Sequence, residues 1–209
     1  MSGLLVLLLL LLLPALWVGW RIASRRTVLP CPSEIAWLVE MENPLARATR
    51  SEQVIAQLQL LSGERAIDIG CGPGRVTIPM AQAVGADGQV TALDVQDGML
   101  AKVAARAEVE ALTNIRPLRS DVRNATIPSG SFDAAVMVMA LGEIPDGADI
   151  FPSVFRMLRS RGRLLVAESI FDPHYVSRRR VRDQVSAAGF REMRSIGNVF
   201  GYSITFERP

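Results

Sequence analysis

The sequence predicts an α/β domain: an open, mostly parallel seven-stranded sheet with helices on both faces and an antiparallel strand pair at its C-terminal end. Three observations lead there. Helical and extended apolar patterns alternate from Gln53 onward at intervals suited to parallel crossover units. The first extended run passes directly into a glycine-rich loop that opens a helix. The chain closes on two extended runs with no helix between them, which only an antiparallel pairing can join so tightly.

Taken in order, Val54, Ile55, Leu58 and Leu61 form a helical stripe stopped by Gly63. Ala66 to Ile69 is the first strand, and Val76 to Val84 the helix beyond the glycines. A Gly85-Ala86-Asp87-Gly88 turn leads to a second strand, Gln89 to Leu93. Asp97 is placed to cap a helix carrying Leu100, Val103 and Ala107. The third strand is Ile115 to Leu118, and the fourth a long one from Phe132 to Ala140. Ile150, Val154, Phe155 and Leu158 make a helical face closed by Gly162, before a fifth strand from Leu164 to Glu168. A last helix, near Val176 to Ala188, ends at Gly189 and precedes the hairpin Phe190 to Ile196 and Tyr202 to Glu207.

Residues 1–23 are different in kind. Sixteen of the first twenty are apolar, and Leu4 to Trp20 is 17 residues without a charge. As a helix extended to Ala23 this segment is roughly 30 Å long, the thickness of a bilayer core. Trp17 and Trp20 stand where interfacial aromatics anchor a span, and Arg21, Arg25 and Arg26 follow at once. A cleaved signal peptide fits less well, since no cation precedes the apolar run and no Ala-x-Ala site follows it. The expectation is a single-pass anchor with the remaining chain on the cytoplasmic side. Residues 24–42 read as a linker, broken by Pro30 and Pro32, and a short helix capped by Ser33. The domain proper is expected over 43–209.

The chain carries 23 basic and 21 acidic residues. Setting aside the three arginines beside the apolar segment leaves a domain close to neutral, which argues against a nucleic-acid partner. Two cysteines and one histidine exclude a disulfide framework, a multi-cysteine metal site and a three-histidine centre.

The most informative stretch is Asp68-Ile69-Gly70-Cys71-Gly72-Pro73-Gly74-Arg75. Glycines let the backbone turn sharply and approach a ligand, and the helix beyond offers free N–H groups. A nicotinamide-type loop places its third glycine one position later, where this chain has Arg75. Asp94 ends the second strand, where a carboxylate can accept both hydroxyls of a ribose. Asp121 follows the third strand in Ser120-Asp121-Val122, a position suited to an exocyclic adenine amine. Three acids at the carboxyl ends of three strands point into one crevice.

These motifs, with Phe132-Asp133-Ala134-Ala135-Val136 and the stretch from Leu158 to Leu164, resemble the class I S-adenosylmethionine-dependent methyltransferases, in particular the ubiquinone/menaquinone-type branch. The resemblance covers about residues 43–207. It implies a Rossmann-like sheet with its last strand pair reversed and S-adenosyl-L-methionine as cofactor. It implies that the loop of Gly70, Cys71, Gly72 and Gly74 holds the methionine portion with Asp68 near the ammonium group. It also sets Asp94 on the ribose, Val95 and Met99 beside the adenine, and Asp121 and Val122 at the adenine's amine end. A turn that ends in Gly-Gly in the family reads Arg161-Gly162 here.

Methyl transfer from a sulfonium is an in-line displacement needing alignment first and a base only when the acceptor starts protonated. Candidates for proton handling are Glu143 after strand four, His174 after strand five and Glu168 at the end of strand five. Histidine is the side-chain type that titrates near neutrality. The anchor suggests a small lipophilic acceptor. Arg178, Arg179, Arg180 and Arg182 form a basic cluster that could meet anionic lipids. A tethered module that binds the cofactor without turnover and a nicotinamide oxidoreductase are the competing expectations.

Overall fold

The structure, a computed structural model, describes residues 40–144 and 150–209, with Leu12, Val18, Gly19, Cys31, Ser33 and Ala36 as isolated positions before them. Among the described residues no helix is long and apolar enough to cross a membrane. The anchor expected at 1–23 and most of the short helix expected after Ser33 lie outside them.

Seven strands form one sheet: β1 (Arg65–Ile69), β2 (Gln89–Asp94), β3 (Ile115–Arg119), β4 (Phe132–Val138), β5 (Leu158–Ser169), β6 (Arg191–Gly197) and β7 (Gly201–Glu207). Their spatial order is β3-β2-β1-β4-β5-β7-β6. The first five run parallel, and β7 is antiparallel to both β5 and β6. Pro117, which has no N–H to donate, lies in β3 at the edge of the sheet. The helices are α1 (Ser51–Leu58), α2 (Thr77–Val84), α3 (Asp97–Val109), α4 (Phe151–Met157) and α5 (Arg178–Ala187).

Alternation along the strands divides the core into two layers. On one face Ile67, Met137, Leu164 and Val166 pack with Phe151 and Val154 of α4 and Val181 and Val185 of α5. On the other, small residues (Ala66, Ala134, Ala167) lie with Val136 and Leu165 beneath Val54 and Leu58 of α1 and Met80 and Val84 of α2. A third group, Ala92 with Leu100 and Val103 of α3, continues the core beside the glycine loop.

The elements expected from Gln53 onward are present among the described residues, and several of their boundaries have moved for identifiable reasons. Helix α1 ends at Leu58 because Gln59 turns left-handed (φ 49°), so Leu61 is 62% exposed instead of buried. Asp97 is the first helical residue of α3 and pairs with Arg119 at 2.9 Å; the cap is Gln96. Strand β4 stops at Val138, two residues early, because Met139 adopts φ 54° and turns the chain. Leu158 belongs to β5 rather than to the preceding helix, and Gly162 lies inside that strand.

The strand order reverses between β1 and β4. Their following loops leave in opposite directions and open a crevice at the carboxyl edge, the place where open α/β sheets bind ligands.

Candidate active site

The crevice holds a cavity of about 550 Å³. Asp68, Gly70, Cys71, Gly72, Asp94, Val95, Met99, Asp121, Val122, Glu143 and His174 all line it. Gly74 does not. Its φ of +88° turns the loop, and a Cβ there would lie 3.1 Å from Val103 Cγ2, so it seats the loop against α3.

The loop after β1 is held by its neighbours. The N–H groups of Gly70 and Cys71 both donate to the Leu93 carbonyl, at 2.8 and 3.1 Å. Gly70 has φ +69°, and a Cβ on it would come within 2.5 Å of Ala140 Cβ. Only glycine lets the β1 and β4 loops meet there. The same contact explains why β4 has already turned at Met139.

Asp68 is buried at the base of the loop and accepts a 2.6 Å hydrogen bond from Thr77 Oγ1. Burial pushes its carboxyl up to about 6, with the Thr77 hydroxyl and the Arg75 charge opposing the rise. A desolvated carboxylate of this kind favours a cation brought beside it. The Asp94 carboxylate accepts from the Gly72 N–H at 3.0 Å and the Gln96 N–H at 2.9 Å. Two fixed amides orient it and leave lone pairs for a ligand's hydroxyls. Val95 and Met99 supply an apolar wall, the first half exposed and the second buried. Asp121 is clamped by the Arg123 guanidinium, whose hydrogen bonds hold its carboxyl below the usual range. This half of the cavity suits a ligand that carries an amine, a ribose and a flat apolar ring. The buried acid at Asp68, the oriented carboxylate of Asp94 and the apolar wall of Val95 and Met99 fit S-adenosylmethionine on all three counts.

The other half is built by the loops after β4 and β5. Gly142 lies so close to His174 that a Cβ would overlap its carbonyl oxygen. That contact brings Glu143 beside His174, with Oε1 3.8 Å from the imidazole Nδ1. Asp172 Oδ1 is also 3.8 Å from Nδ1 and accepts the His174 N–H at 2.6 Å. At 3.8 Å the three are electrostatic neighbours, not a hydrogen-bonded chain. Burial and the Asp172 charge push the Glu143 carboxyl up to about 8, so it holds a proton at neutral pH. Glu168 lies deeper and does not line the cavity; its Oε2 accepts the Val176 N–H at 3.2 Å, and burial pushes it well above the carboxylate range.

Several lining residues carry no signal in the sequence. Met41, Asn43 and Thr49 come from the segment before α1, Gln96 from the β2 loop, and Phe171 from the β5 loop. Arg75, read in the sequence only as a missing glycine, ties that first segment down. Its guanidinium donates to the Thr49 carbonyl at 2.9 Å and pairs with Glu42 at 3.3 Å. Cys31 also lines the cavity, and burial with the nearby Glu143 and Asp172 charges pushes its thiol up to about 11. The Cys71 thiol is pushed higher still, chiefly by burial, so neither sulfur is a ready nucleophile.

Comparison with known proteins agrees with this geometry. Residues 66–162 match a family described as "Methyltransferase domain". A demethylmenaquinone methyltransferase of Geobacillus is 25% identical over 118 residues, 56% of this chain and 50% of that protein. Nocamycin O-methyltransferase of Saccharothrix syringae is 30% identical over 126 residues, 60% of this chain and 43% of that protein. The chain thus spans about half the length of the curated relatives it matches. Among solved structures, a SAM-dependent methyltransferase from Aquifex aeolicus superposes with a TM-score of 0.75 at 18% identity, covering 86% of this chain and all of that one. The [4+2]-cyclase SpnF superposes at 0.68, also at 18% identity, covering 76% and 79%. At such identities the likeness is one of fold.

Proposed function

We propose that this chain, which belongs to the class I S-adenosylmethionine-dependent methyltransferases, transfers the cofactor's methyl group to a small lipophilic acceptor while tethered to a membrane by residues 1–23. When bound, S-adenosylmethionine supplies a methyl group made electrophilic by its sulfonium. The observation that carries the reading is the division of one cavity into two halves. Asp68, the glycine loop and Asp94 line the first, while Glu143 and His174 line the second.

Asp68 draws the amine end of the ligand inward, and its ionised form gains most from a cation at this buried position. Asp94, oriented by two amides, accepts from the ribose hydroxyls. Val95 and Met99 exclude water from the ring. On the acceptor side, His174 and the ionised fraction of Glu143 are placed to take up the proton of a hydroxyl as it is alkylated, with Asp172 holding the His174 loop. A carboxyl that titrates near 8 exchanges a proton readily at neutral pH.

Support for the tether is the uncharged run Leu4–Trp20 with Arg21, Arg25 and Arg26 behind it, which favours the domain on the cytoplasmic side. Support for a small acceptor comes from the relatives, whose names specify demethylmenaquinone and nocamycin. The test is to supply labelled S-adenosylmethionine to membranes with and without the protein and identify the labelled product. Label appearing in a lipid-extractable compound only when the protein is present is the expected result. Tight cofactor binding with no labelled product from any membrane extract would leave a binding module without turnover.

A further inference from the structure

Exposed apolar side chains border the mouth of the cavity. Met41 and Phe171 line the cavity and are 62% and 40% exposed. Phe171 stacks on Phe200, with ring centroids 5.9 Å apart. Next to Phe200, in the β6–β7 turn, Val199 is 78% exposed. Asn198 of the same turn donates to the Leu45 carbonyl at 3.0 Å, which joins this turn to the segment before α1, where Leu45 is half exposed. Three segments distant in sequence therefore present one apolar rim.

Cations border that rim. Arg47 is exposed two residues after Leu45. Helix α5 begins beside the same turn: Arg178 lies over the Tyr202 ring at 5.2 Å and reaches Gly197. Arg179 and Arg180 follow, both exposed, and among the described residues Arg179 pairs with an exposed i,i+4 partner, Asp183, at 3.7 Å. Exposed pairs of this kind hold a side chain weakly. Of the nearby acids, Glu42 is engaged by Arg75, while Asp172 lines the cavity.

The chain before the domain sets the distance. Cys31 lines the cavity, and only seven residues separate it from Ala23, the end of the apolar segment. Fully extended they reach about 30 Å at most. Resting on the tether proposed above, this keeps the rim side of the domain close to the bilayer.

We propose that the cavity mouth docks on an anionic phospholipid surface. Leu45, Phe171 and Val199 enter the boundary between headgroups and acyl chains, while Arg47, Arg179 and Arg180 meet the phosphates. An acceptor dissolved in the bilayer then passes into the cavity past Met41 and Phe171 without crossing water.

The test reads orientation separately from attachment. The full chain carries an environment-sensitive fluorophore, placed through a genetically encoded unnatural residue, at position 199 or at position 109. Val109 is 85% exposed at the far end of α3, on the opposite edge of the sheet. Each is mixed with phosphatidylcholine vesicles, with and without phosphatidylglycerol, that contain spin-labelled lipid. The expected result is quenching at 199 at least threefold greater than at 109 in anionic vesicles. That difference falls by at least half without phosphatidylglycerol, and by a similar factor in an Arg179→Gln, Arg180→Gln double variant. Equal quenching at the two positions in protein that floats with vesicles would overturn the docking and leave the tether standing. A spectral shift at 199 without lipid quenching would mean that a second copy of the chain covers the rim, and would also overturn it. Failure to float at all would remove the tether, and the docking with it.

Discussion

The two halves of the cavity are built in opposite ways. The cofactor half comes from two consecutive strand–loop–helix units, so its essential groups lie within the 27 residues from Asp68 to Asp94 and are fixed by backbone amides. The acceptor half is assembled from at least four separated segments: the stretch around Met41 to Thr49, the loops after β4 and β5, and Cys31. Its functional groups touch through loop contacts such as Gly142 against His174. The first half is rigid and generic, while the second is free to vary with the acceptor, as loops on a fixed scaffold are.

The largest effect should come from Asp94→Ala. It removes the acceptor for two backbone N–H groups as well as the ribose contact, and each hydrogen bond to a charged group is worth about 1.5–3 kcal/mol. Cofactor affinity measured by calorimetry is expected to fall by more than about 100-fold, and wild-type affinity would contradict the division drawn above. On the other side, His174→Gln and Glu143→Gln should each lower turnover about 100-fold, the lower range for general acid–base groups, with cofactor affinity unchanged within twofold. If either variant loses cofactor binding, the halves are not separable.

Arg75→Met tests the seam between them. The variant frees the Met41–Thr49 segment from the glycine loop, and cofactor affinity is expected to weaken about tenfold, or about 1.4 kcal/mol. Turnover by the cofactor-saturated variant should also fall, since this side chain serves both halves. The pH effect is read on stability instead. Asp68 titrates near 6 in the folded chain against an ordinary 3.8, and Glu143 near 8 against 4.5. Between those values the native state binds more protons than the unfolded one, so stability without ligand should fall as pH rises from about 4 to 8. The slope is at most about 1.4 kcal/mol per pH unit for each group. Glu143→Gln should flatten the part above pH 6, as read by thermal melts. Cofactor affinity should move the opposite way across pH 6, because only ionised Asp68 attracts the ammonium group.

What the sequence made legible follows the same division. The β1 loop and the acid ending β2 are contiguous motifs whose geometry is local, so Asp68, Gly70, Gly72 and Asp94 could be read directly. Glu143 and His174 were readable as loop residues at the right edge of the sheet, but not as neighbours, because the contact depends on how close Gly142 can come to a chain segment 32 residues away. Thr49, Asn43 and Phe171 belong to no period or motif, and only tertiary placement brings them in. The β4 boundary was misread for a similar reason: Val138 to Ala140 is apolar enough for a strand, yet the approach of Gly70 forces the turn at Met139. The left-handed Gln59 overrode an apolar stripe that pointed to Leu61.

Strand β7 is the last of the seven strands in sequence, yet it lies inside the sheet, between β5 and β6. Ser203 on it exchanges hydrogen bonds with Gln57 of α1, at 2.8 and 3.1 Å, across 146 residues. The sheet therefore cannot close until β7 has been synthesised, and pairings of such long range form slowly. The N-terminal apolar segment, by contrast, is synthesised before the domain. If it acts as the tether proposed above, the chain reaches a membrane while the domain is still unfolded, and the sheet is finished beside the lipid. A chain truncated before Gly201 would carry an open, unpaired β5 edge, a template for aggregation.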